Sequence, residues 1–279
     1  MINKNFAIVI QIRNGSTRLP GKALMRYKNK TLIEIMLKRL LTTFKSNQIY
    51  LITTKLKQDD ILIEISKKFK IKTFRGFKNN VIKRYIQAAS LYNIENIVRL
   101  TGDCPLVDPK LVEKMTSNFF MKNLDYYSNC YPYDKRFFPV GSDVEIFKTE
   151  VLKKIYKSKP SAFEKEHVTT KILKYYKKFK CEIYRTKKNF SKIRYTLDYY
   201  NDYEVIIKIL SYLERKKIFG HYKEIISFLI KNPKLTKYNK KFVNIYYKTK
   251  VIQQTTTTLS IRFVICACKY WQTFFTVQL

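Results

Sequence analysis

The chain has 279 residues and carries 56 Lys and Arg against 21 Asp and Glu, a formal net charge of +35. Hydrophobic residues make up 46% of the chain, which excludes an intrinsically disordered protein, and its 6 Gly and 7 Pro exclude collagen-like and low-complexity classes. Because no run of 18 or more apolar residues occurs, the sequence predicts no transmembrane helix.

The first half of the chain alternates strand and helix patterns. Short apolar, β-branched runs typical of buried parallel strands occur at Phe6–Ile12, Ile49–Thr53, Lys72–Arg75 and Asn96–Thr101. Helical spacing and capping residues predict helices at Thr31–Phe44, Asp59–Phe69, Val81–Tyr92 and Pro109–Phe120. This alternation predicts an α/β fold with a doubly wound, mostly parallel sheet flanked by helices.

The pattern becomes looser from Asp125 onward. Strands are predicted at Val144–Phe147, Glu182–Thr186 and Arg194–Asp198, and helices at Thr149–Lys157, Phe163–Tyr176, Tyr203–Leu213 and Tyr222–Ile230. We assign residues 1–250 to one domain, in which 125–190 is expected to face an acceptor or a second subunit. Val251–Leu279 has no acidic residue and contains four consecutive Thr and the single Trp. We expect this tail to be dispensable, and we assign it no function.

The positive charge has two explanations. A surface of +35 suggests an anionic partner such as nucleic acid, an anionic membrane or a phosphate compound. The basic residues are spread along the whole chain, however, and 44 Lys outnumber 12 Arg, whereas base recognition and bidentate phosphate contacts favour Arg. We therefore favour a general compositional bias and expect no specific nucleic-acid partner.

Cysteine usage indicates the compartment. The five Cys form no CxxC pair and the chain has two His, so no Cys/His zinc site is expected. An odd, unpatterned set of Cys is typical of a reducing cytosol. Met1–Asn5 leads directly into the first apolar run without the core of a signal peptide. We expect a cytoplasmic protein.

The loop after the first predicted strand is the first candidate site, because open α/β sheets bind ligands at the carboxyl ends of their strands. Arg13–Lys22 holds three cations, two hydroxyl groups and two Gly in ten residues. Gly allows backbone N–H groups to approach a phosphate, and Arg and Lys neutralise its charge. The loop matches neither the Walker A nor the GxGxxG pattern. It favours polyphosphate binding over a solvated basic loop.

Two carboxylates follow later strands. Asp103 lies on a Gly turn after Asn96–Thr101, where it suits Mg²⁺, which takes one or two carboxylates together with substrate phosphates. An Asp that only caps the turn is an equal alternative. Asp198 ends another predicted strand and is the second ligand candidate. Asp202 is expected to cap the following helix.

The first loop resembles the signature loop of the sugar-acid cytidylyltransferases, and the branch of the spore coat polysaccharide biosynthesis protein SpsF in particular. The matching stretch is Arg13-x-Gly15-Ser16-Thr17-Arg18-Leu19-Pro20-Gly21-Lys22. Further family motifs follow in order: Arg75-Gly76, Val81-x-x-Arg84-Tyr85, Arg99-x-Thr101-Gly102-Asp103-Cys104-Pro105-Leu106, Ser128-Asn129, Asp143-Val144-Glu145-x-Phe147, Glu166-His167-Val168-Thr169 and Arg194-x-Thr196-Leu197-Asp198. The resemblance covers about residues 6–230.

The resemblance implies a GT-A-like nucleotidyltransferase with a Rossmann-like sheet, which transfers CMP from CTP to a sugar acid for surface polysaccharide and releases pyrophosphate. CTP would contact Arg13, Gly15, Ser16, Arg18, Lys22, Arg75 and Thr101. Asp103 and Asp198 would hold Mg²⁺, and Lys22, Arg18 and Asp103 would act in catalysis. The acceptor side would consist of Asp143, Glu145, Glu166 and His167, with a purely structural His167 as an equal alternative. Homodimerisation is a further expectation.

Two other classes of function stay open. A GT-A-like glycosyltransferase would use a nucleotide sugar, and Asp143-Val144-Glu145 is the nearest counterpart of its Asp-x-Asp metal motif. A non-catalytic nucleotide or nucleic-acid binder would use the positive charge. Pyrophosphate release from CTP separates the two enzymes, and steeply salt-dependent binding of duplex DNA would support the binder.

Overall fold

A seven-stranded sheet forms the centre of the protein, seen in a computed structural model that describes residues 5–132, 135–172 and 178–243. Its strands are β1 (Phe6–Gln11), β4 (Ile49–Thr54), β5 (Lys72–Gly76), β6 (Asn96–Thr101), β7 (Tyr126–Ser128), β8 (Glu145–Lys148) and β9 (Cys181–Ile183). A separate hairpin consists of β2 (Arg26–Tyr27) and β3 (Lys30–Thr31). The tail expected at Val251–Leu279 lies outside the described residues.

Helices follow most of the strands. They are α1 (Leu32–Leu40), α2 (Asp60–Lys68), α3 (Val81–Leu91), α4 (Pro109–Met121), α5 (Thr149–Lys157), α6 (Ala162–His167), α7 (Tyr200–Lys216), α8 (Tyr222–Lys231) and α9 (Pro233–Tyr238). Among the residues that the structure describes, no helix is both long enough and apolar enough to cross a membrane.

The order of the strands is β5-β4-β1-β6-β8-β7-β9. The pairs β5–β4, β4–β1 and β1–β6 are parallel, and β8 runs antiparallel between β6 and β7. This arrangement confirms the predicted α/β fold with a mostly parallel sheet. The chain moves outward from β1 through β4 and β5 and then crosses back to β6. The carboxyl ends of β1 and β6 therefore border the crevice in which such sheets bind ligands.

Successive residues of β1 point to opposite faces of the sheet and supply two cores. Ile8 and Ile10 pack with α1, α2 and α4, whereas Ala7 and Val9 pack with α3 and α5. A third cluster joins α7 and α8 to Leu32, at the start of α1. Helices therefore cover both faces of the sheet. A ligand can approach the sheet at its carboxyl edge.

The start of α1 is fixed by a capping box. The Glu34 amide donates to Thr31 Oγ1 at 3.3 Å, and the Thr31 amide donates to Glu34 Oε2 at 2.8 Å. Lys68 Nζ donates to the other oxygen of Glu34 at 2.7 Å. Burial would raise the Glu34 pKa, but the hydrogen bonds from Lys68 and Thr31 outweigh it and hold the pKa at about 2. The ionised Glu34 therefore ties α1 to α2.

The predicted strand Arg194–Asp198 is wrong. Only Arg194 forms a bridge, to Val140, and Thr196 Oγ1 and the Leu197 amide both donate to Asp103 O, at 3.0 and 2.7 Å. Local alternation of apolar residues suggested a strand, but the segment is held by the carbonyl group of Asp103, which is distant in the chain. This contact places Asp198, the last residue of the segment, beside the end of β6.

Three other predicted bounds also need correction. The helix expected at Phe163–Tyr176 corresponds to α6, which ends at His167 because Val168 has φ +53°; residues 173–177 lie outside the described part of the chain. The strand expected at Glu182–Thr186 is β9, limited to the three residues that pair with β7. The helix expected to reach Phe44 ends at Leu40, where the Thr42 and Thr43 amides bond three residues back.

Candidate active site

A cavity of about 510 Å³ opens at the carboxyl ends of β1 and β6. Its wall combines the loop after β1, the start of α3, the turn after β6, the end of α6 and the start of α7. The lining residues are Gln11, Ile12, Arg13, Ser16, Thr17, Arg18, Lys22, Ala23, Lys78, Val81, Arg84, Thr101, Gly102, Asp103, Glu166, His167, Arg194, Asp198, Tyr199 and Phe242.

Two hydrogen bonds fix the conformation of the loop after β1, one to a residue before α2 and one within the loop. The Asn14 amide donates to Asp59 Oδ1 at 2.8 Å, and the Leu19 amide donates to Ser16 Oγ at 3.3 Å. Gly21 then adopts φ +70°, in the left-handed region that favours glycine, and starts a short 3₁₀ turn at Lys22. This geometry directs the Lys22 side chain into the cavity.

The turn after β6 lies tightly against β1. The Gly102 amide donates to Gln11 O at 2.9 Å, and a Cβ atom at position 102 would lie 2.5 Å from Ile12 Cδ1. Only glycine fits this approach without movement of its neighbours. The next residue, Asp103, is therefore held beside the loop after β1.

Lys22 joins the two predicted metal ligands. Its Nζ lies 3.3 Å from Asp103 Oδ2, 2.9 Å from Asp198 Oδ1 and 2.9 Å from Leu197 O. Burial acts to lower the Lys22 pKa, but the charges of Asp103 and Asp198 outweigh it and raise the pKa above its ordinary value. Lys22 therefore remains an ammonium ion at neutral pH.

Asp198 is a buried carboxylate surrounded by three cations. Its side chain is 5% exposed, and Oδ1 accepts a hydrogen bond from Arg18 Nη2 at 2.7 Å as well as from Lys22. Arg194 Nη2 lies 3.2 Å from Oδ2. Burial would raise the Asp198 pKa, but Lys22, Arg18 and Arg194 lower it to about 2. The carboxylate is therefore ionised throughout the physiological range.

Arg194 is itself held by Asp202. Its Nε and Nη2 donate to the two oxygens of Asp202 at 2.8 and 2.7 Å, and both side chains are almost fully buried. The Asp198 and Tyr199 amides each donate to Asp202 Oδ2 at 3.0 Å. Such bidentate pairs fix orientation as well as charge. Asp202 thus caps α7, as expected, and also orients Arg194.

The structure brings most of the predicted site residues together. Arg13, Ser16, Arg18, Lys22, Thr101, Asp103, Glu166, His167 and Asp198 all line the cavity. Arg13 and Glu166 form an ion pair within this wall, with Arg13 Nη2 3.4 Å from Glu166 Oε1. His167 lies against Phe163 with ring centroids 4.3 Å apart. Gly15, Arg75, Asp143 and Glu145 are absent from the wall that the described residues form.

Arg75 and Gly15 lie on the outer side of this region. Arg75 donates to the carbonyl oxygens of Thr54 and Leu56, each at 2.9 Å, and its Nη2 lies 2.8 Å from Asp60 Oδ1. A Cβ atom at Gly15 would meet only the movable end of the Gln58 side chain. Arg75 therefore links the end of β4 and the residues after it to the start of α2.

Asp143 and Glu145 are used by internal ion pairs. Asp143 is paired with the fully buried guanidinium of Arg136 and accepts a hydrogen bond from the Gly141 amide at 3.1 Å. Glu145 is 4% exposed, is paired with Arg99, and accepts hydrogen bonds from Tyr126 and Thr169 at 2.6 Å each. The Asp143-Val144-Glu145 stretch is thus not a metal motif facing this cavity.

Eleven of the twenty lining residues were not assigned to the site from the sequence, and Lys78, Arg84, Tyr199 and Phe242 are four of them. Lys78 and Arg84 add positive charge, and Tyr199 and Phe242 add aromatic surface. Arg84 is 1% exposed, and its Nε donates to Phe77 O at 3.1 Å. Arg84 could have been identified from the sequence, because it is a cation on the apolar face of α3. Phe242 lies in a Lys- and Tyr-rich stretch that offered no such signal.

The donor set fits a magnesium ion held jointly with a phosphate ligand. Asp103 and Asp198 both approach the Lys22 ammonium, so their carboxylates converge on one positive charge. Mg²⁺ usually takes one or two carboxylates and completes its coordination with water and phosphate oxygens. Within the described ranges, no group of three or more His, Cys, Asp or Glu forms a metal site made by the protein alone.

Known proteins resemble this chain over most of its length. The family model described as "Cytidylyltransferase" matches residues 7–226. The spore coat polysaccharide biosynthesis protein SpsF of Bacillus subtilis is 30% identical over 235 residues, which cover 81% of this chain and 94% of that protein.

Solved structures also resemble this chain over most of its length. A cytidylyltransferase from Leptospira borgpetersenii is 36% identical and superposes with a TM-score of 0.78, covering 83% of this chain and 96% of that one. CMP:2-keto-3-deoxy-manno-octonic acid synthetase complexed with CTP superposes with a TM-score of 0.55 at 16% identity, covering 75% of this chain and 99% of that one. At this low identity, the second likeness shows the fold alone.

Proposed function

This chain belongs to the cytidylyltransferase family, and on that basis we propose that it transfers CMP from CTP to a sugar acid of the octulosonate or nonulosonate type. Pyrophosphate is the second product, and the activated sugar serves surface polysaccharide synthesis. The likeness to SpsF, whose name refers to spore coat polysaccharide, supports the biosynthetic role.

The ion cluster of Lys22, Asp103 and Asp198 in a basic cavity is the observation that carries this proposal. Six cationic side chains and three carboxylates line the cavity: Arg13, Arg18, Lys22, Lys78, Arg84 and Arg194, with Asp103, Glu166 and Asp198. The excess of positive charge suits a triphosphate, because Arg and Lys neutralise phosphate oxygens. The two converging carboxylates suit the divalent cation that accompanies a nucleotide.

The chain's own groups account for the transfer step. A sugar hydroxyl attacks the α-phosphorus of CTP and releases its proton to water, and the bond from the α-phosphorus to the pyrophosphate oxygen breaks. Arg18 and Lys22 offset the charge that develops on the departing pyrophosphate. Lys22 acts as a fixed positive charge in this step, since an ammonium group donates hydrogen bonds and accepts none. Held by Asp103 and Asp198, Mg²⁺ would supply further charge neutralisation at the α-phosphate.

The acceptor is proposed to enter beside α6. Glu166 and His167 supply polar groups on that wall, and Lys78 and Arg84 supply positive charge within the same cavity. A sugar acid carries both hydroxyl groups and a carboxylate, so it matches this mixture. Positioning of the hydroxyl near the α-phosphorus is the main contribution expected from this side.

The cytoplasm is the proposed compartment. In the part of the chain that the structure describes, Cys104, Cys130 and Cys181 are all free thiols. Free thiols are typical of a reducing compartment.

A pyrophosphate-release screen tests the proposal. The four nucleoside triphosphates are each incubated with Mg²⁺ and a panel of 2-keto sugar acids, with Asp103→Asn as the inactive control. The proposal expects release with CTP and at least one sugar acid, together with a CMP-sugar product. No pyrophosphate release with any triphosphate, together with sugar transfer in a parallel reaction that contains a nucleotide sugar, would contradict it and support a glycosyltransferase.

A further inference from the structure

We propose that Pro233–Val243 forms a wall of the active site and that its Asn239 is a positioning residue for Asp198. This segment follows the region matched by the family model, which ends at residue 226. The inference rests on the proposed function only in that it treats Asp198 as part of the nucleotide and metal site.

The segment returns to the start of α7 after leaving α8. Helix α9 occupies Pro233–Tyr238, and Asn201 Nδ2, in the first turn of α7, donates to Tyr238 O at 3.3 Å. Of the residues that follow α9, Asn239 and Val243 are buried, whereas Lys240 and Lys241 are exposed.

Asn239 is the first buried residue of this segment, and it contacts Asp202 and Arg194. The residue is 1% exposed, and its Nδ2 donates to Asp202 Oδ1 at 2.9 Å and to Arg194 O at 3.2 Å. Both donors of the amide group are therefore used on two residues of the site. A buried carboxylate that loses such a donor is destabilised, because no water replaces it.

These contacts continue to Asp198. Asp202 binds the Arg194 guanidinium through two hydrogen bonds, and Arg194 Nη2 lies 3.2 Å from Asp198 Oδ2. Asn239 therefore acts on Asp198 through two intermediate side chains, each almost fully buried. A direct partner such as Arg194 orients a carboxylate that binds metal, and the loss of a direct partner typically lowers metal affinity or activity 10- to 100-fold.

Phe242 is the second, independent contact. Its ring stacks on Tyr199 with centroids 3.9 Å apart and an interplanar angle of 11°, and both rings line the cavity. The Arg18 guanidinium lies 5.6 Å from the Tyr199 ring centroid. The stacked pair thus covers one side of the ion cluster. Exclusion of water strengthens the interactions of charges inside the cavity.

Metal binding tests the role of Asn239 without any acceptor. Mn²⁺ is titrated into the full-length protein with saturating CTP and followed by electron paramagnetic resonance, for the wild type, Asn239→Ala and Asn239→Asp. The matched control is Lys240→Ala, an exposed neighbour on the same segment. We expect both Asn239 variants to bind Mn²⁺ at least tenfold more weakly and the control to match the wild type.

Melting temperatures separate positioning from stability. A merely structural Asn239 would lower the melting temperature and leave the Mn²⁺ affinity of the folded protein unchanged. That result would overturn the positioning role.

A fluorescence reporter tests the wall itself and does not depend on the Asn239 variants. The chain has one Trp, Trp271, so Phe242→Trp combined with Trp271→Phe places a single indole at the cavity. We expect CTP with Mg²⁺ to change its emission, with a midpoint equal to the dissociation constant from calorimetry. CTP binding with unchanged emission would overturn the proposed wall. Both readouts use CTP alone, so a wrong acceptor assignment would leave them intact.

Discussion

Gly102 packs against the side chain of Ile12, at the point where the last residue of β6 passes the end of β1. The contact leaves no room for a methyl group, since its carbon would lie 2.5 Å from Ile12 Cδ1. The position of Asp103 relative to the loop after β1 therefore depends on the absence of a side chain at the preceding residue.

We expect Gly102→Ala to lower the free energy of unfolding by about 1–3 kcal/mol, because overpacking forces neighbouring groups to move. Chemical denaturation measures this change. Gly15→Ala is the control for stability, since the new Cβ would meet only the movable end of Gln58. Equal stability of the two variants would contradict the tight contact at Gly102.

Asp103→Asn is expected to reduce pyrophosphate release from CTP by about 100-fold or more, the range seen when one preorganised electrostatic group is removed from an active site. The melting temperature should change little, because the Asp103 side chain is 28% exposed. Asp198→Asn offers a contrast, since its 5% exposed carboxylate balances three cations. That variant should lose both activity and stability. A fully active Asp103→Asn enzyme would exclude Asp103 from the site.

Lys22→Ala should weaken CTP binding by about 10- to 100-fold, as expected for the loss of a hydrogen bond to a charged group worth about 1.5–3 kcal/mol. Isothermal titration calorimetry with CTP and Mg²⁺ measures the effect. Lys28→Ala removes the same charge from the surface, where Lys28 is 62% exposed and pairs with Glu214. If both variants bind CTP equally well, the triphosphate does not contact Lys22.

Stability should fall at acid pH through Glu34. Its pKa is lowered from 4.5 to about 2 in the folded protein, so ionised Glu34 stabilises the fold fully above about pH 4.5. That contribution disappears as the pH falls toward 2. Denaturation curves between pH 2 and 6 should show a smaller pH dependence for Glu34→Gln than for the wild type. Glu64→Gln, at an exposed pair with Lys67, should retain the wild-type dependence.

Local sequence patterns correctly predicted helices and strands whose bounds depend on residues close together in the chain. The predicted bounds of β6 and α5, Asn96–Thr101 and Thr149–Lys157, match the structure, because a short apolar run and an amphipathic stretch define them. Strand β7 was missed, since Tyr126–Ser128 is three residues long and is stabilised by pairing with β8 and β9. Such pairing depends on residues distant in the chain, which a local pattern does not contain.

Residues of the candidate site were likewise predicted where the signal is local and missed where it depends on distant parts of the chain. The loop Arg13–Lys22 and Asp103 were predicted at one edge of the sheet because Gly, cations and a carboxylate at strand ends have a local signature, and the structure places them at the same cavity. The environment of Glu145 was not predictable, because its partners Arg99 and Thr169 come from other parts of the chain. Asn239 and Phe242 were missed for the same reason. Their contribution depends on where α9 directs the chain.

Lys22 gives the ligand-free protein an internal counter-ion. Two ionised carboxylates that lie close together repel each other, and in many binding sites only a bound cation reduces that repulsion. Here Lys22 Nζ lies 3.3 Å from Asp103 Oδ2 and 2.9 Å from Asp198 Oδ1, so a side chain of the protein itself reduces that repulsion. Lys22 can turn from the carboxylates toward a phosphate group only when another positive charge replaces it. A divalent cation between Asp103 and Asp198 would supply two positive charges where Lys22 supplies one, and the Lys22 ammonium would then be available to a phosphate group.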